Sequence, residues 1–213
     1  MVAAASRARL QVDERRAQLL ELGLRLFAER SYDEVSIDDI AREAGVSKGL
    51  LYHYFGGKRD FYVACVREAA SQLLALTTPD TSMPEADRAR AGLDAYLQFA
   101  EQHAGAYTAL MQSGIGHDPE VLAILEDARA RIVLRMLEGM GLAEPRPAFR
   151  LAARAWVGQV EAACLDWLER RDVPRESLVR LLLGGLFGTL VAAKSLDPKA
   201  PFDPPPLPPW LFE

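Results

Sequence analysis

Apolar residues recur every three or four positions along most of this chain, which is the pattern of amphipathic α-helices. The first such segment extends from about residue 13 to residue 29. No segment shows a competing alternation of apolar and polar residues, which would indicate a strand. The same periodicity, with Pro, Gly and Asp between segments, predicts later helices from residue 58 past residue 66 and over residues 85–103, 106–113, 119–140, 147–171 and 174–194. The pattern therefore predicts an all-α protein.

Two short helices are marked by the serines that precede them. Ser36 and Asp39 have the spacing of a capping box, in which the serine oxygen accepts a first-turn N–H and the acid accepts the serine N–H. The box predicts a helix over residues 37–44. Ser47 is placed to cap a second short helix over residues 48–55.

A tight turn at Gly45 joins these two helices, and the apolar residues around it are spaced to pack together. These residues are Ile40, Ala41, Val46, Leu51 and, in the first helix, Phe27. Two short helices packed across a tight turn indicate a helix-turn-helix unit.

The helix after the turn has an apolar and a polar face. Leu51 and Phe55 are predicted to point inward. The opposite face then carries Lys48, Gly49, Tyr52 and His53. A capped helix N-terminus attracts phosphate, Lys48 adds positive charge, and Gly49 permits close backbone approach. Tyrosine adds a hydroxyl group and a stacking surface. This face suits DNA, although spacing alone is equally compatible with a solvated face.

The stretch SIDDIAREAGVSKGLLYHYFGGKRDF, residues 36–61, resembles the signature of TetR-family transcriptional regulators. The resemblance covers about residues 13–66. It implies a homodimeric regulator with an N-terminal three-helix helix-turn-helix domain and a C-terminal helical ligand-binding and dimerisation domain. Such a protein binds a pseudo-palindromic operator in double-stranded DNA, usually as a repressor, and leaves it when a small molecule binds. The predicted domains are residues 1–60, residues 61–196 and a proline-rich extended tail, residues 197–213.

Carried over by position, the resemblance implies a set of DNA contacts, most of them to phosphate. These residues are Ser36, Ser47, Lys48, Gly49, Tyr52, His53, Tyr54 and Lys58. Leu50 stands where the family often has a small or polar residue, and it would either touch a thymine methyl group or support the helix. Arg59 replaces the acidic residue usual after the lysine, and it could add a phosphate contact.

The last predicted helix contains glycines among leucines, which allows close helix approach. The resemblance implies that the last two helices form a four-helix bundle with a second copy of the chain. The predicted dimer residues are Leu178, Leu182, Gly185, Leu186 and Gly188. Glycine inside a helix is unfavourable by up to about 1 kcal/mol, which tight packing can offset. Packing within one chain is the alternative.

A pocket for a small, largely apolar effector is predicted between the central helices, where aromatic residues fall at near-helical spacing. Its predicted residues are Tyr96, Phe99, His103, Tyr107, Met111, Trp156, Gln159, Val160 and Cys164. The alternative is that this stripe is core, in which case a partner protein, or nothing, controls the regulator.

Composition and charge narrow the function classes. The 213 residues are 50% hydrophobic and 26% charged, which is typical of a soluble globular protein. The net charge is −5, and residues 1–60 hold ten basic and ten acidic side chains, so DNA binding must come from a local patch. HExxH and P-loop motifs are absent, which argues against an enzyme. His103 and His117 have no ligand-spaced carboxylate or cysteine, so neither a metal nor another cofactor is predicted.

The remaining features concern location and the tail. Two distant cysteines, Cys65 and Cys164, suggest no disulfide framework and favour the cytoplasm. The N-terminus lacks the apolar stretch of a secretion signal, and the apolar run over residues 181–193 is too short to span a bilayer, so no membrane is expected. In the tail, Trp210, Leu211 and Phe212 either dock on the body or recruit a partner.

Overall fold

The computed structural model describes residues 2–112, 116, 118–142, 146–206 and 208–209, with the backbone alone for residues 2–13, 85 and 86. Over these ranges the chain forms nine α-helices and no strand, which confirms the predicted all-α fold. The helices are α1 (Val2–Glu29), α2 (Ile37–Ala44), α3 (Lys48–Phe55), α4 (Lys58–Leu76), α5 (Glu85–Gln102), α6 (Ala104–Gln112), α7 (Pro119–Gly139), α8 (Pro147–Arg170) and α9 (Arg175–Leu196).

The helix boundaries follow the sequence pattern closely, with one exception. Helices α2 and α3 begin and end at the predicted residues. Helix α1 begins at Val2 instead of near residue 13. Its first residues are rich in Ala and Arg, which favour a helix, but they lack the apolar period by which the start was predicted.

The described chain divides into two compact units. The first contains residues 1–72 and 103–124, and the second contains residues 73–102 and 125–213. The first unit is larger than the predicted DNA-binding domain because α6 packs against α1 inside it. The functional division after residue 60 stays a prediction.

Aromatic side chains hold the first unit together. Phe27 of α1 packs edge-to-face on Tyr62 of α4, with ring centroids 4.8 Å apart. Phe55 of α3 packs edge-to-face on Phe61 of α4, also at 4.8 Å. Cys65 is buried in the same unit, and this burial raises the pKa of its thiol. These contacts fix α3 to α4, and they fix α1 to α4.

The second unit is built around α8 and α9. Trp156 of α8 donates its indole N–H to the carbonyl oxygen of Leu182 of α9 at 2.8 Å. Cys164 of α8 is fully buried. Arg175, the first residue of α9, contacts Asp94 of α5 at 3.0 Å. Helices α5, α8 and α9 therefore form the core of this unit.

Helix α9 is long and apolar enough, by length and composition, to cross a membrane. It extends beyond the apolar run, residues 181–193, on which the opposite expectation was based. Its buried residues include Leu182, Leu183 and Phe187, and α9 packs against α8. A core helix of a globular domain also meets this criterion of length and composition. Helix α9 packs as such a core helix in the second unit.

The first part of the tail returns to the second unit. Phe202 is buried and meets Phe149 of α8 edge-to-face at 6.0 Å. Arg146, just before α8, contacts both carboxylate oxygens of Asp197 at 2.9 and 3.0 Å. Trp210, Leu211 and Phe212, which were expected either to dock on the body or to recruit a partner, lie outside the described part of the chain.

Candidate nucleic-acid interface

The N-terminus of α2 is fixed by the predicted capping box. The Asp39 N–H donates to Ser36 Oγ at 3.1 Å, and the Ser36 N–H donates to Asp39 Oδ2 at 3.0 Å. The Ser36 hydroxyl also donates to Asp39 at 2.5 Å, and Arg42 contacts the second carboxylate oxygen. These hydrogen bonds hold the pKa of the Asp39 carboxyl well below its usual range. The box is confirmed, and it leaves Ser36 exposed.

The turn into α3 depends on one glycine and one serine. Gly45 ends α2 with a φ of 63°, in the left-handed region that glycine adopts without strain. Ser47 then caps α3, because its Oγ accepts the N–H of Leu50 at 3.2 Å. The turn and the cap together set the direction in which α3 leaves α2.

Residues 45–49 read GVSKG, which has the letters of the G-x-S-x-G motif of α/β-hydrolases. In those enzymes the serine stands on a sharp turn between a strand and a helix. Here Ser47 lies between two helices and caps the second. The match in letters therefore carries no catalytic implication.

The predicted faces of α3 are confirmed. Leu51 is 1% exposed and Phe55 is 7% exposed, whereas Tyr52 is 53% exposed. Of the other predicted contact residues, the exposed ones are Ser36, Ser47, Lys48, Gly49 and His53, and the half-buried ones are Leu50, Tyr54 and Lys58. The contacts of these residues with DNA stay a prediction.

Both predicted lysines have partners within the first unit that the sequence did not indicate. Lys48 forms an ion pair with Asp38 of α2. Lys58 places its Nζ 4.3 Å from the ring centroid of Tyr32, a cation–π contact. Tyr32 in turn packs edge-to-face on Tyr62 at 5.1 Å. The residues that hold the lysines come from α2 and from the segment before it.

Arg59 is engaged by a carboxylate, and its suggested phosphate contact stays a prediction. Its Nε donates to Asp118 Oδ2 at 2.7 Å and its Nη2 donates to Oδ1 at 2.8 Å. This pairing raises the pKa of Arg59 and lowers the pKa of Asp118. Glu120 lies 3.5 Å from Arg59 and 2.9 Å from Arg67. The start of α4 is thus tied to the start of α7 within the first unit.

The predicted effector residues are divided between the two units, with His103, Tyr107 and Met111 in the first unit and the other six in the second. The buried members are Tyr96, Phe99, Tyr107, Trp156, Val160 and Cys164, and Gln159 is exposed. The indole of Trp156 is used in the contact between α8 and α9, as expected of a core residue. A common pocket for these nine residues stays a prediction.

A cleft of about 600 Å³ lies between α5 and α9 in the second unit. Its charged lining residues are Asp87, Arg90, Asp94, Arg175 and Glu176. None of the nine predicted effector residues lines it. Its charged walls differ from the apolar pocket that the sequence predicts.

The predicted dimer residues differ in burial, and their contact with a second copy stays a prediction. Leu178, Leu182 and Leu186 are buried within the single chain, with exposed fractions of 4, 0 and 6%. A Cβ on Gly185 would lie 2.8 Å from the side chain of Gln159 in the same chain. The three leucines therefore face the core of their own chain, and Gly185 is half-buried beside Gln159 of α8. Gly188 is exposed.

Among the side chains that the structure describes, no three His, Cys, Asp or Glu residues are grouped as a metal site would need. His117 lies outside those residues.

The fold and the exposed face of α3 define a helix-turn-helix protein. Residues 19–65 match the family described as "Bacterial regulatory proteins, tetR family", and residues 85–188 match "Tetracyclin repressor-like, C-terminal domain". A crystal structure of a TetR-family transcriptional regulator from Streptomyces coelicolor is 31% identical, has a TM-score of 0.81 and covers 88% of this chain and 85% of that chain. The chain belongs to the TetR family, and it is a DNA-binding transcriptional regulator.

Curated relatives match over shorter stretches. The transcriptional activator FasR of Mycolicibacterium smegmatis is 32% identical over 117 residues, which are 54% of this chain and 53% of FasR. The transcriptional repressor KstR2 of Mycobacterium tuberculosis is 46% identical over 50 residues, which are 24% of this chain and 25% of KstR2. The matches thus span about half of FasR and a quarter of KstR2.

One solved structure contains a ligand. FadR of Bacillus subtilis, in complex with stearoyl-CoA, is 19% identical, with a TM-score of 0.64 over 81% of this chain and 96% of FadR. At this identity the likeness concerns the fold.

Proposed function

We propose that this protein is a homodimeric repressor that binds a pseudo-palindromic operator in double-stranded DNA. A small, largely apolar ligand in the C-terminal domain would release it. One observation carries the DNA-binding part: α3 has a capped, exposed N-terminus, buries Leu51 and Phe55, and turns Lys48 and Tyr52 outward. A helix held by its inner face in this way can enter the major groove. The site of action is the cytoplasm.

The polar face of α3 can make both kinds of DNA contact. Its first N–H groups have no acceptor within the helix, and they suit phosphate oxygens. Lys48 and Lys58 add positive charge near α3, and phosphate contacts of this kind position a protein on the duplex. Tyr52 exposes half of its surface and is placed to reach a base edge. Leu50 is half-buried, which leaves both of its suggested roles open.

A dimer would bring two copies of α3 to successive half-sites. Helices α8 and α9 each carry a stripe of small and apolar residues at heptad spacing, accessible in the single chain. The stripe on α8 consists of Leu151, Ala155, Gly158 and Ala162, and the stripe on α9 consists of Leu181, Gly184, Gly188 and Val191. Leu151 is 62% exposed and Leu181 is 66% exposed, and each continues into a row of accessible small and apolar residues, unlike a single exposed leucine. We infer that two copies pack these stripes together as a four-helix bundle.

The first unit offers a physical route for control of α1 and α4. Residues 103–124 lie within the family's C-terminal domain, yet they share a compact unit with the helix-turn-helix. Gly105 of α6 packs on the backbone of Ala28 of α1, and Asp118 holds Arg59 of α4. A ligand that displaced residues 103–124 would therefore act on α1 and α4, the helices against which α3 is held. To reduce the DNA-binding form from about 99% to about 1% of the protein, the ligand must bind the other form more tightly by roughly 5.5 kcal/mol.

Control by a partner protein, or no control, is the second candidate. It is favoured by the burial of Trp156, Val160 and Cys164 and by the use of the Trp156 indole between α8 and α9. A thermal-shift screen of small apolar compounds, followed by release of labelled operator, separates the two candidates. A compound that both stabilises the protein and releases DNA would support ligand control.

The DNA-binding surface is tested by two neighbouring substitutions on opposite faces of α3. Tyr52→Ala should weaken operator binding by about 1 to 3 kcal/mol, because it removes a group that reaches DNA. It should leave the melting temperature nearly unchanged, because Tyr52 is exposed. Leu51→Ala should lower the free energy of unfolding by about 2 to 5 kcal/mol, because it empties a buried site. Fluorescence anisotropy with an operator selected from random duplexes, together with thermal melting, measures both quantities.

Two results would count against this assignment. If Tyr52→Ala binds the selected operator as tightly as the parent, the exposed face of α3 is not the DNA-reading face. If both variants lose the same thermal stability, the two faces do not differ as their burial requires.

A further inference from the structure

Lys48, the first residue of α3, and Lys58, the first residue of α4, contact partners that differ in charge. Lys58 lies over the neutral ring of Tyr32, which positions the ammonium group and does not neutralise its charge. Lys48 is paired with the carboxylate of Asp38, which does cancel it. The Lys48 and Asp38 side chains are 58% and 56% exposed, so the ion pair is accessible to an approaching DNA phosphate.

Asp38 takes no part in the capping box of α2. The capping box uses Asp39, which accepts from Ser36 and is contacted by Arg42. Asp38 is exposed, and the contact described for its side chain is the one with Lys48. A carboxylate in the first turn of α2 favours the helix, but an exposed ion pair with Lys48 adds little to stability. The ion pair itself therefore has its main effect on the charge that Lys48 presents to DNA.

We propose that Asp38 is an intramolecular competitor of DNA phosphate for Lys48, and that it sets the affinity of the protein for duplex DNA. The inference rests on the proposed DNA-binding role of this surface. When Lys48 moves to a phosphate, one counterion leaves the DNA, but the carboxylate that Lys48 leaves behind attracts a cation from solution. The ion pair therefore weakens binding and makes it less dependent on salt. Since residues 1–60 carry no net charge, removing the charge of Asp38 would leave this segment with a net charge of +1.

The expected result is that Asp38→Asn binds DNA more tightly and with a steeper dependence on salt. We expect a gain in affinity of roughly five- to tenfold per subunit at about 100 mM KCl. The slope of log K against log salt should become more negative by up to about 0.9 per subunit, because the neutral amide of this variant attracts no cation when Lys48 leaves it. A fluorescein-labelled random-sequence duplex of about 30 base pairs, titrated between about 50 and 300 mM KCl, gives both quantities.

A double-mutant cycle shows whether the gain passes through Lys48. In a Lys48→Met background, Asp38→Asn should change affinity less than twofold. In a Lys58→Met background, the full gain should persist, since Lys58 is held by Tyr32. Glu43→Gln removes a negative charge from the exposed far end of α2, and it should change affinity less than twofold.

The outcomes separate this inference from the proposed function. If Lys48→Met and Lys58→Met both leave DNA affinity unchanged, the proposed DNA surface fails. If they weaken binding while Asp38→Asn gives no gain, the competitor role of Asp38 is overturned and the surface stands. A gain that survives in the Lys48→Met background, or that Glu43→Gln reproduces, also overturns it, because general charge would then explain the effect. A thermal melt of Asp38→Asn identical to the parent's shows that both affinities are measured on folded protein.

Discussion

Replacing Leu181 with glutamate should convert the protein from a dimer to a monomer and weaken operator binding by at least about a hundredfold. The side chain is 66% exposed, so the chain should still fold, but two carboxylates would meet in the proposed bundle. Each recognition helix would then bind its half-site alone, without the high effective concentration that the second subunit provides. Sedimentation velocity gives the oligomeric state, and anisotropy with the selected operator gives the affinity.

Leu76→Glu is the matched control for this substitution. Leu76 is also exposed, at 59%, but it ends α4 and lies outside the stripes on α8 and α9. Leu76→Glu should therefore leave both the dimer and operator binding intact. A Leu181→Glu protein that sediments as a stable dimer would mean that the subunits meet on another surface.

Gly105→Ala should destabilise the first unit and reduce operator binding, although it adds only one methyl group. A Cβ at this position would overlap the carbonyl oxygen of Ala28 and lie 3.1 Å from its carbonyl carbon. Both atoms belong to the backbone of α1, so α1 and α6 would have to separate. Overpacking of this kind typically costs about 1 to 3 kcal/mol. Denaturant unfolding measures the loss, and anisotropy shows whether DNA binding falls with it.

Gly139→Ala provides the control, because it makes the same chemical change without a collision. Within the described residues, a Cβ built on Gly139, in the last turn of α7, meets no atom within 4 Å. This variant should be as stable as the parent or slightly more stable. If Gly105→Ala unfolds at the same denaturant concentration as Gly139→Ala, the contact between α1 and α6 is looser than its geometry indicates.

The sequence was sufficient for features that depend on residues close together in the chain. The capping box at Ser36, the cap at Ser47 and the left-handed Gly45 are local signals, and all three are present at the predicted positions. The inward direction of Leu51 and Phe55 follows from helical periodicity once the helix boundaries are known.

Contacts between distant segments could not be read from spacing. Arg59 and Asp118 are 59 residues apart, and nothing in either local sequence indicates the other. The pair formed by Lys48 and Asp38 crosses the turn between two helices, and its formation depends on the angle between them. The sequence therefore did not predict these two ion pairs.

The residues available to a second copy could not be chosen from the sequence for a related reason. Leucines spaced along α9 have the same pattern whether they face their own chain or a second copy. The predicted set, with Leu178, Leu182 and Leu186, is the buried face, and the accessible stripe that includes Leu181 lies on another side of the same helix. Burial in the single chain distinguishes the two faces, and composition does not.

The interior position of both sulfhydryl groups has a practical consequence for observing the switch. Cys65 is 2% exposed and Cys164 is 0% exposed, so maleimide or methanethiosulfonate reagents should leave the folded native chain unlabelled. One cysteine introduced at an exposed site, such as Glu43→Cys on α2, would then carry the sole spin label of each subunit. Electron–electron dipolar spectroscopy of the labelled pair would follow the separation of the two DNA-reading units directly, before and after a ligand is added, against a background without signal.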